Sequence, residues 1–172
     1  CISPERTEAR YDKIHLFDVQ VADGVGGYQE SQFFEPGDDV VIAQTPFGNI
    51  GLMVCYDLRF PELALTLRQR GAHILTAPAA FTYTTGQMHW QLLLQARAMD
   101  SQCAVLGAAQ QGWHGEKRQT WGHSGATNSR GQLLALVEGD GAALITVEFD
   151  LNEQQQIREA MPLMQHRRLV QF

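Results

Sequence analysis

The sequence predicts an α/β fold in which helices pack on a sheet. Apolar runs of strand length alternate along the chain with longer stretches of helical periodicity. The 172 residues are 44% hydrophobic, which suits a globular chain with a sizeable core and argues against disorder. No repeat, low-complexity tract or linker interrupts the chain. We therefore predict one domain over residues 1–172.

The first third of the chain predicts strands and a loop. Residues 9–19, "ARYDKIHLFDV", alternate well enough for a strand. Its first face would carry Tyr11, Lys13, His15 and Phe17. Residues 22–39 are rich in Gly, Asp and Pro, which predicts a loop. Residues 40–57 predict strand, turn and strand, with the turn at "TPFGN".

A helix is predicted directly after this second strand. Pro61 suits the first helical turn, and Glu62 suits the positive end of the helix dipole. Gly71 is a plausible C-terminal stop. Apolar residues recur between them at the spacing of one helical face: Phe60, Leu63, Ala64 and Leu67.

The remaining elements continue the alternation. The patterns predict a buried strand at 72–81, a helix at 86–102, a strand at 103–110, a polar loop at 112–123, three strands within 124–150 and a short helix at 152–161 with Asn152 as a possible N-cap.

Composition excludes several classes of protein. The net charge of −6 argues against a nucleic-acid partner, which would favour a basic face. No apolar stretch approaches the ~20 residues that span a bilayer, so no membrane partner is expected. Three cysteines at irregular spacing fit reduced thiols in a cytoplasmic protein. The cysteines and histidines lack zinc-site spacing, so we expect no metal and no other cofactor.

Cys55 stands where an apolar strand gives way to a predicted helix. A strand, a cysteine, a sharp turn and a helix can expose a nucleophile, and the helix N-terminus lowers a thiol pKa. An inert core thiol is the alternative, because cysteine is among the most buried residue types. A histidine partner would make a papain-like site, whereas Lys13 and Glu30 could instead supply charge to the reaction. These residues alone leave the alternatives open.

Five segments together resemble the nitrilase superfamily of carbon–nitrogen hydrolases. They are "RYDKIHLFD", "YQESQFFEPGDD", "GLMVCYDLRFPELALTLRQRGAHILTAPAAF", "TGQMHWQLLLQARAMDSQCAVLGAAQ" and "GHSGATNSRGQLLA". The resemblance implies an α-β-β-α sandwich and hydrolysis of a linear amide. The segment "AAQQGWHGEKRQTWGHS" is most similar to the branch that acts on deaminated glutathione, with the ω-amidase branch next.

The resemblance also implies catalytic roles for three residues. Cys55 matches the nucleophile, which would form a thioester and release ammonia before water opens the thioester. Lys13 matches the lysine that stabilises the tetrahedral oxyanion. Glu30 matches a glutamate that would hold Lys13 or the substrate amide in place.

Substrate contacts and a partner are implied as well. The backbone N–H of Tyr56 would assist the oxyanion, and Phe81 and Thr82 could line the pocket. Ordinary loop packing is the alternative for Phe81 and Thr82. The resemblance further implies a homodimer that pairs through the helix near 88–100 and the C-terminal tail.

The chain departs from the family pattern at its beginning. The family's general base is a glutamate on a segment upstream of the lysine, and neither Glu5 nor Glu8 sits in such a motif. We therefore expect the carboxyl two thirds of a family member, without its N-terminal strands and helix. Loss of the base commonly costs about 10²–10⁴-fold in rate, so an inactive remnant is the alternative function. An N-terminal nucleophile at Cys1 and a Cys–His protease are weaker alternatives.

Overall fold

The computed structural model describes residues 9–23, 26–139 and 141–169. Ten strands, four α-helices and two 3-10 helices form within these ranges. The strands are β1 (Asp18–Val19), β2 (Tyr28–Gln29), β3 (Ile42–Thr45), β4 (Gly48–Leu52), β5 (Ile74–Thr76), β6 (Ala104–Gly107), β7 (Gln111–His114), β8 (Arg118–Trp121), β9 (Gly125–Thr127) and β10 (Leu133–Leu136). The helices are α1 (Pro61–Gln69), α2 (Tyr83–Ser101), α3 (Leu151–Ala160) and α4 (Leu163–His166), with 3-10 turns at Glu30–Gln32 and Cys55–Arg59.

The main sheet has six strands in the order β10-β9-β6-β5-β4-β3. Its three central strands, β4, β5 and β6, run parallel. Helix α1 connects β4 to β5 and α2 connects β5 to β6, so both helices cover the sheet as parallel connections require. The carboxyl ends of the three parallel strands therefore meet at one edge, where α/β folds usually bind ligands.

The core lies between this sheet and helices α1 and α2. Both helices place apolar residues at helical spacing onto the strands, and their buried side chains are Leu63, Ala64 and Leu67 of α1 and Trp90, Leu94 and Ala98 of α2. The Trp90 indole N–H donates to the carbonyl of His123 at 2.6 Å. A buried tryptophan thus keeps its one polar atom satisfied.

The predicted α/β class is confirmed, and so are the elements around Cys55. Strand, turn and strand occur as β3 and β4, which pair as an antiparallel hairpin. The predicted helix is α1, with Pro61 at its first position. Gly71 follows its end with φ +94°, a conformation that glycine adopts without steric cost.

Two predictions, the strand at 9–19 and the polar loop at 112–123, are wrong. Of the strand predicted at 9–19, only Asp18–Val19 pairs, with β2. The preceding residues bind side chains instead of a neighbouring strand, as the site shows below. The polar loop predicted at 112–123 is a hairpin of β7 and β8. The two strands pair through backbone hydrogen bonds, although many of their side chains are polar. The polar composition therefore suggested a loop.

Two further predictions near the C-terminus are wrong. Residues 144–150 alternate between exposed and half-buried side chains, but residues 142–150 have no strand partner among the described residues. Alternation alone does not make a strand without a second edge to pair with. The N-cap of α3 is Asp150, whose carboxylate accepts from the Asn152 N–H at 2.8 Å. Asn152 is therefore the second residue of the helix and not its N-cap.

No helix within the described ranges is long and apolar enough to cross a membrane. Three residues weighed in the sequence, Cys1, Glu5 and Glu8, lie outside the described residues.

Candidate active site

Cys55 occupies a strained elbow between β4 and α1. It lies three residues beyond the strand and begins the 3-10 helix Cys55–Arg59, in the predicted order of strand, cysteine, turn and helix. Its φ of +50° is left-handed, which costs a non-glycine residue about 1–2 kcal/mol. Its N–H donates to the carbonyl of Pro78 at 2.9 Å, so the neighbouring chain holds the strained backbone in place.

Cys55 lines a cavity of about 820 Å³ at the carboxyl end of the parallel strands. This volume lies within the usual range for small-molecule sites. The walls come from residues near 13–34, the elbow, the loop that precedes α2, residues 108–110 and the β7–β8 hairpin. Lys13 and Glu30 face the same cavity, so the structure brings together the three predicted catalytic residues.

Lys13 and Glu30 form an ion pair in the cavity wall. The Lys13 ammonium donates to Glu30 Oε2, and the two side chains are 12% and 28% exposed. The same oxygen accepts the Phe17 N–H at 2.7 Å. Glu30 therefore fixes the lysine head group with one carboxylate oxygen that is itself held by the backbone.

The thiol of Cys55 is surrounded by groups with opposing effects on its pKa. Burial raises the pKa above its usual value, and the negative charge of Glu30 acts in the same direction. The backbone N–H groups of Ala80 and Tyr56 and the ammonium of Lys13 lower it. Burial prevails, so the resting thiol is mostly protonated at neutral pH and needs a base before it can attack.

Asp57 is a buried carboxylate next to the site that the sequence reasoning did not single out. It lies two residues after Cys55, and its side chain is fully buried. Its carboxylate accepts the Tyr11 hydroxyl at 2.8 Å, the His15 N–H at 3.1 Å, the His15 Nδ1–H at 2.8 Å and the Val54 N–H at 2.8 Å. An acidic residue directly after an apolar strand, two residues beyond Cys55, is the signal that could have found it.

Two arginines face the cavity. Arg59 lies 5.8 Å from the Tyr56 ring centre and 5.3 Å from that of Phe81, and desolvation lowers its pKa. Arg118 lies 5.9 Å from the Tyr28 ring centre. Within the described part of the chain, neither arginine makes an ion pair with a carboxylate. Both are therefore available to an acidic ligand.

These arginines qualify the sequence reasoning. Arg118 lines the cavity, whereas its neighbour Lys117 does not. Arg59 was missed, although it lies only four residues after Cys55.

The three predicted substrate contacts also line the cavity. Tyr56 packs edge-on against Phe17, with ring centres 5.0 Å apart. Phe81 packs against Trp90 at 5.1 Å, and the Thr82 hydroxyl caps α2 by accepting the Thr85 N–H. Phe81 and Thr82 thus have packing and capping roles as well, and substrate contact by all three residues stays a prediction.

A papain-like pairing finds no support at this cavity. None of the described residues that line it is a histidine. His15 binds Asp57 and stacks on Phe60 with ring centres 3.7 Å apart. Ser124, which lines the cavity and follows His123, exchanges hydrogen bonds with the backbone of Ala109. In the described part of the chain, no three His, Cys, Asp or Glu side chains cluster as a metal site.

Comparison with known proteins identifies the family. Residues 1–159 match the family described as Carbon-nitrogen hydrolase. The chain belongs to the carbon-nitrogen hydrolase family. The resemblance to the nitrilase superfamily is therefore confirmed.

Similar proteins and solved structures extend the match to this family. The deaminated glutathione amidase of Yersinia enterocolitica is 47% identical over 163 residues, 95% of this chain and 57% of the relative. The C. elegans NitFhit crystal structure is 42% identical with a TM-score of 0.82, covering 94% of this chain and 39% of that one. The chain thus spans 57% and 39% of these two proteins.

Another similar structure carries a modified active site. It is a mutant of the amidase from Nesterenkonia sp. AN1, described as bearing the acetamide moiety of fluoroacetamide at its active-site cysteine. It is 26% identical to this chain, with a TM-score of 0.63, over 74% of this chain and 44% of that one.

Proposed function

We propose that this chain carries the nucleophile and the oxyanion site of an amidase that hydrolyses a linear carbon–nitrogen bond. One observation carries the proposal: Cys55 sits at a left-handed elbow and faces the cavity that the Lys13–Glu30 pair also lines. The covalently modified cysteine of the Nesterenkonia amidase gives further support.

The proposed reaction proceeds through two acyl transfers. The Cys55 thiolate attacks the amide carbonyl carbon, and the carbonyl electrons move to oxygen. Lys13 and the Tyr56 N–H stabilise this oxyanion, and Glu30 keeps the ammonium of Lys13 in place. The intermediate collapses as the carbon–nitrogen bond breaks and the amine leaves with a proton. Water then attacks the thioester, which yields a carboxylic acid and restores the Cys55 thiol.

The substrate class follows from the charges that line the cavity. Arg59 and Arg118 offer guanidinium groups without carboxylate partners in the described structure, so an amide that carries carboxylates fits. Deaminated glutathione, the substrate named for the Yersinia enterocolitica relative, is such an acid. A primary amide would release ammonia, as the resemblance implies. A glutathione-like secondary amide would instead release an amine.

The proton acceptor for Cys55 distinguishes an active chain from an inactive remnant. Glu30 is the one carboxylate that lines the cavity within the described ranges, and its Oε2 already accepts two hydrogen bonds. The raised pKa of Cys55 therefore favours a second candidate function, a chain that binds the amide and lacks efficient turnover.

Intact-mass measurement with deaminated glutathione tests these two functions. We expect an acyl adduct on Cys55, mapped by peptide digestion, with amine released stoichiometrically or repeatedly. Repeated release means that a base is present, whereas a persistent Cys55 adduct with a single equivalent of amine supports the remnant. Cys55→Ala is the negative control, and Cys103→Ala is the matched thiol control because Cys103 is buried away from the cavity. Equal product from wild type and Cys55→Ala would reject the amidase.

We also propose a homodimer through the helix near 88–100. Three apolar side chains on α2 are largely exposed, which is unusual for a free surface: Met88 at 58%, Leu92 at 63% and Met99 at 56%. Leu92→Lys should shift the sedimenting species from dimer to monomer, while a wild-type monomer would reject the proposal. The contribution of the C-terminal tail and the cytoplasmic setting stay predictions.

A further inference from the structure

We propose that Asp57 is a positioning residue that holds the Lys13 segment against the Cys55 elbow. This inference rests on the proposed function, because it assigns a device that brings the ammonium to the nucleophile. Its basis is the set of four hydrogen bonds that one buried carboxylate accepts from the Lys13 segment and from the elbow.

The first half of this connection concerns the chain around Lys13. Residues 9–17 belong to no strand, so ladder hydrogen bonds do not fix them. Asp57 binds Tyr11, two residues before Lys13, and His15, two residues after it. The Tyr11 hydroxyl also accepts the Ile14 N–H at 3.2 Å, which closes the turn over Lys13. The segment is therefore anchored on each side of the lysine.

The second half concerns the elbow. The carboxylate of Asp57 accepts the N–H of Val54, the residue immediately before Cys55. Asp57 also lies in the same 3-10 helix as Cys55. One side chain thus contacts the residue before the nucleophile and both flanks of Lys13, although Tyr11 lies 46 positions earlier in the chain.

Burial makes this connection stiff. Asp57 is 0% exposed, and each of its oxygens accepts two hydrogen bonds. Hydrogen bonds to an ionised carboxylate are stronger than those between neutral groups. Losing one would leave a buried charge without a partner, which costs free energy. The Lys13 carbonyl adds one further tie by accepting the Gly37 N–H at 2.9 Å.

The test uses the reactivity of Cys55, which needs no turnover. The charged groups that act on this thiol are Lys13, which lowers its pKa, and Glu30, which raises it. Alkylation by iodoacetamide follows the thiolate fraction, and each unit of pKa changes that fraction about tenfold. Moving Lys13 away should therefore slow alkylation at pH 7.5.

The variants are Tyr11→Phe, Lys13→Met and the two combined, in the 172-residue chain. We expect Tyr11→Phe to slow Cys55 alkylation about threefold and Lys13→Met to slow it about tenfold. The double variant should react no more slowly than Lys13→Met, because Tyr11 acts through the lysine. Tyr83→Phe is the matched control, since Tyr83 packs on Trp121 and does not line the cavity.

Two results would overturn the proposal. Multiplied effects in the double variant would make Tyr11 an independent structural residue, and an unchanged rate in Tyr11→Phe would make the connection irrelevant. Asp57→Asn supplies a second measurement, with circular dichroism to confirm folding, and His15→Asn replaces it if Asp57→Asn unfolds. If Lys13→Met leaves alkylation unchanged, the proposed function fails as well. If Lys13→Met still slows alkylation but its effect multiplies with that of Tyr11→Phe, only the positioning role of Asp57 is rejected.

Discussion

Gly86→Ala offers a prediction whose sign opposes helix propensity. Gly86 lies in the first turns of α2, where alanine is favoured over glycine by about 1 kcal/mol. A Cβ at this position would lie 2.2 Å from the Cβ and 2.5 Å from the Cγ of Trp121. Real Cβ atoms do not approach others this closely, so α2 and β8 would have to separate.

The magnitude follows from these two opposing effects. Overpacking typically costs about 1–3 kcal/mol, and the upper part applies because the Trp121 Cβ is fixed to the backbone and cannot rotate away. After subtraction of the propensity gain, Gly86→Ala should lower the free energy of unfolding by about 1–2 kcal/mol. Urea unfolding followed by circular dichroism measures this change as a lower midpoint with an unchanged m-value.

A neighbouring substitution separates packing from propensity. Gln87→Ala changes an exposed position of the same helix, where we expect a change within about 0.5 kcal/mol. The start of α2 and the β7–β8 hairpin both contribute to the cavity, so Gly86→Ala should also alter Cys55 alkylation. A Gly86→Ala protein that is more stable than wild type would refute this reasoning.

Three further predictions follow from the site and the core. Cys55→Gly should be about 1 kcal/mol more stable than Cys55→Ala in urea unfolding, because only glycine adopts φ +50° without strain. Arg118→Gln should lower kcat/KM about tenfold for an amide with two carboxylates and leave a neutral amide unchanged. Burial raises the pKa of Cys103 above 9.0, so its contribution to stability is present below pH 9 and is lost as pH rises. Urea midpoints measured from about pH 8 to about pH 10.5 should therefore fall less steeply in Cys103→Ala than in wild type.

Each of these three has a result that would contradict it. Equal stability of the two Cys55 variants would mean that the elbow is unstrained. A parallel loss on neutral and acidic amides would give Arg118 a structural role. Identical pH profiles for wild type and Cys103→Ala would mean that the thiol keeps an ordinary pKa in the folded protein.

Local periodicity was sufficient to predict the helices around the site. The spacing of Leu63, Ala64 and Leu67 predicts the face of α1 that the structure buries. Proline at the start of that helix and glycine beyond its end are likewise local signals. The local pattern singled out Cys55 as one alternative, but its catalytic role with Lys13 and Glu30 was assigned through the family resemblance, because no local pattern connects the three residues.

The segment around Lys13 was mispredicted because its structure depends on a distant residue. Alternation at 9–19 resembles a strand, but Tyr11 and His15 alternate toward Asp57 rather than toward a sheet face. Hydrogen bonds between residues more than 40 positions apart leave no mark in a window of about ten residues. Arg59 was missed for a related reason, since its role depends on which cavity it faces.

Several residues that line the cavity around Cys55 are synthesised after it, so the thiol is buried only once they have been added. Ser124, on the far wall, follows Cys55 by 69 residues. At about 5–20 residues per second, the ribosome needs about 3 to 14 seconds to add them. During that interval burial has not yet raised the pKa of the thiol, so it is more easily oxidised than in the finished fold. Oxidative damage at this position should therefore accumulate on nascent chains before it reaches mature ones.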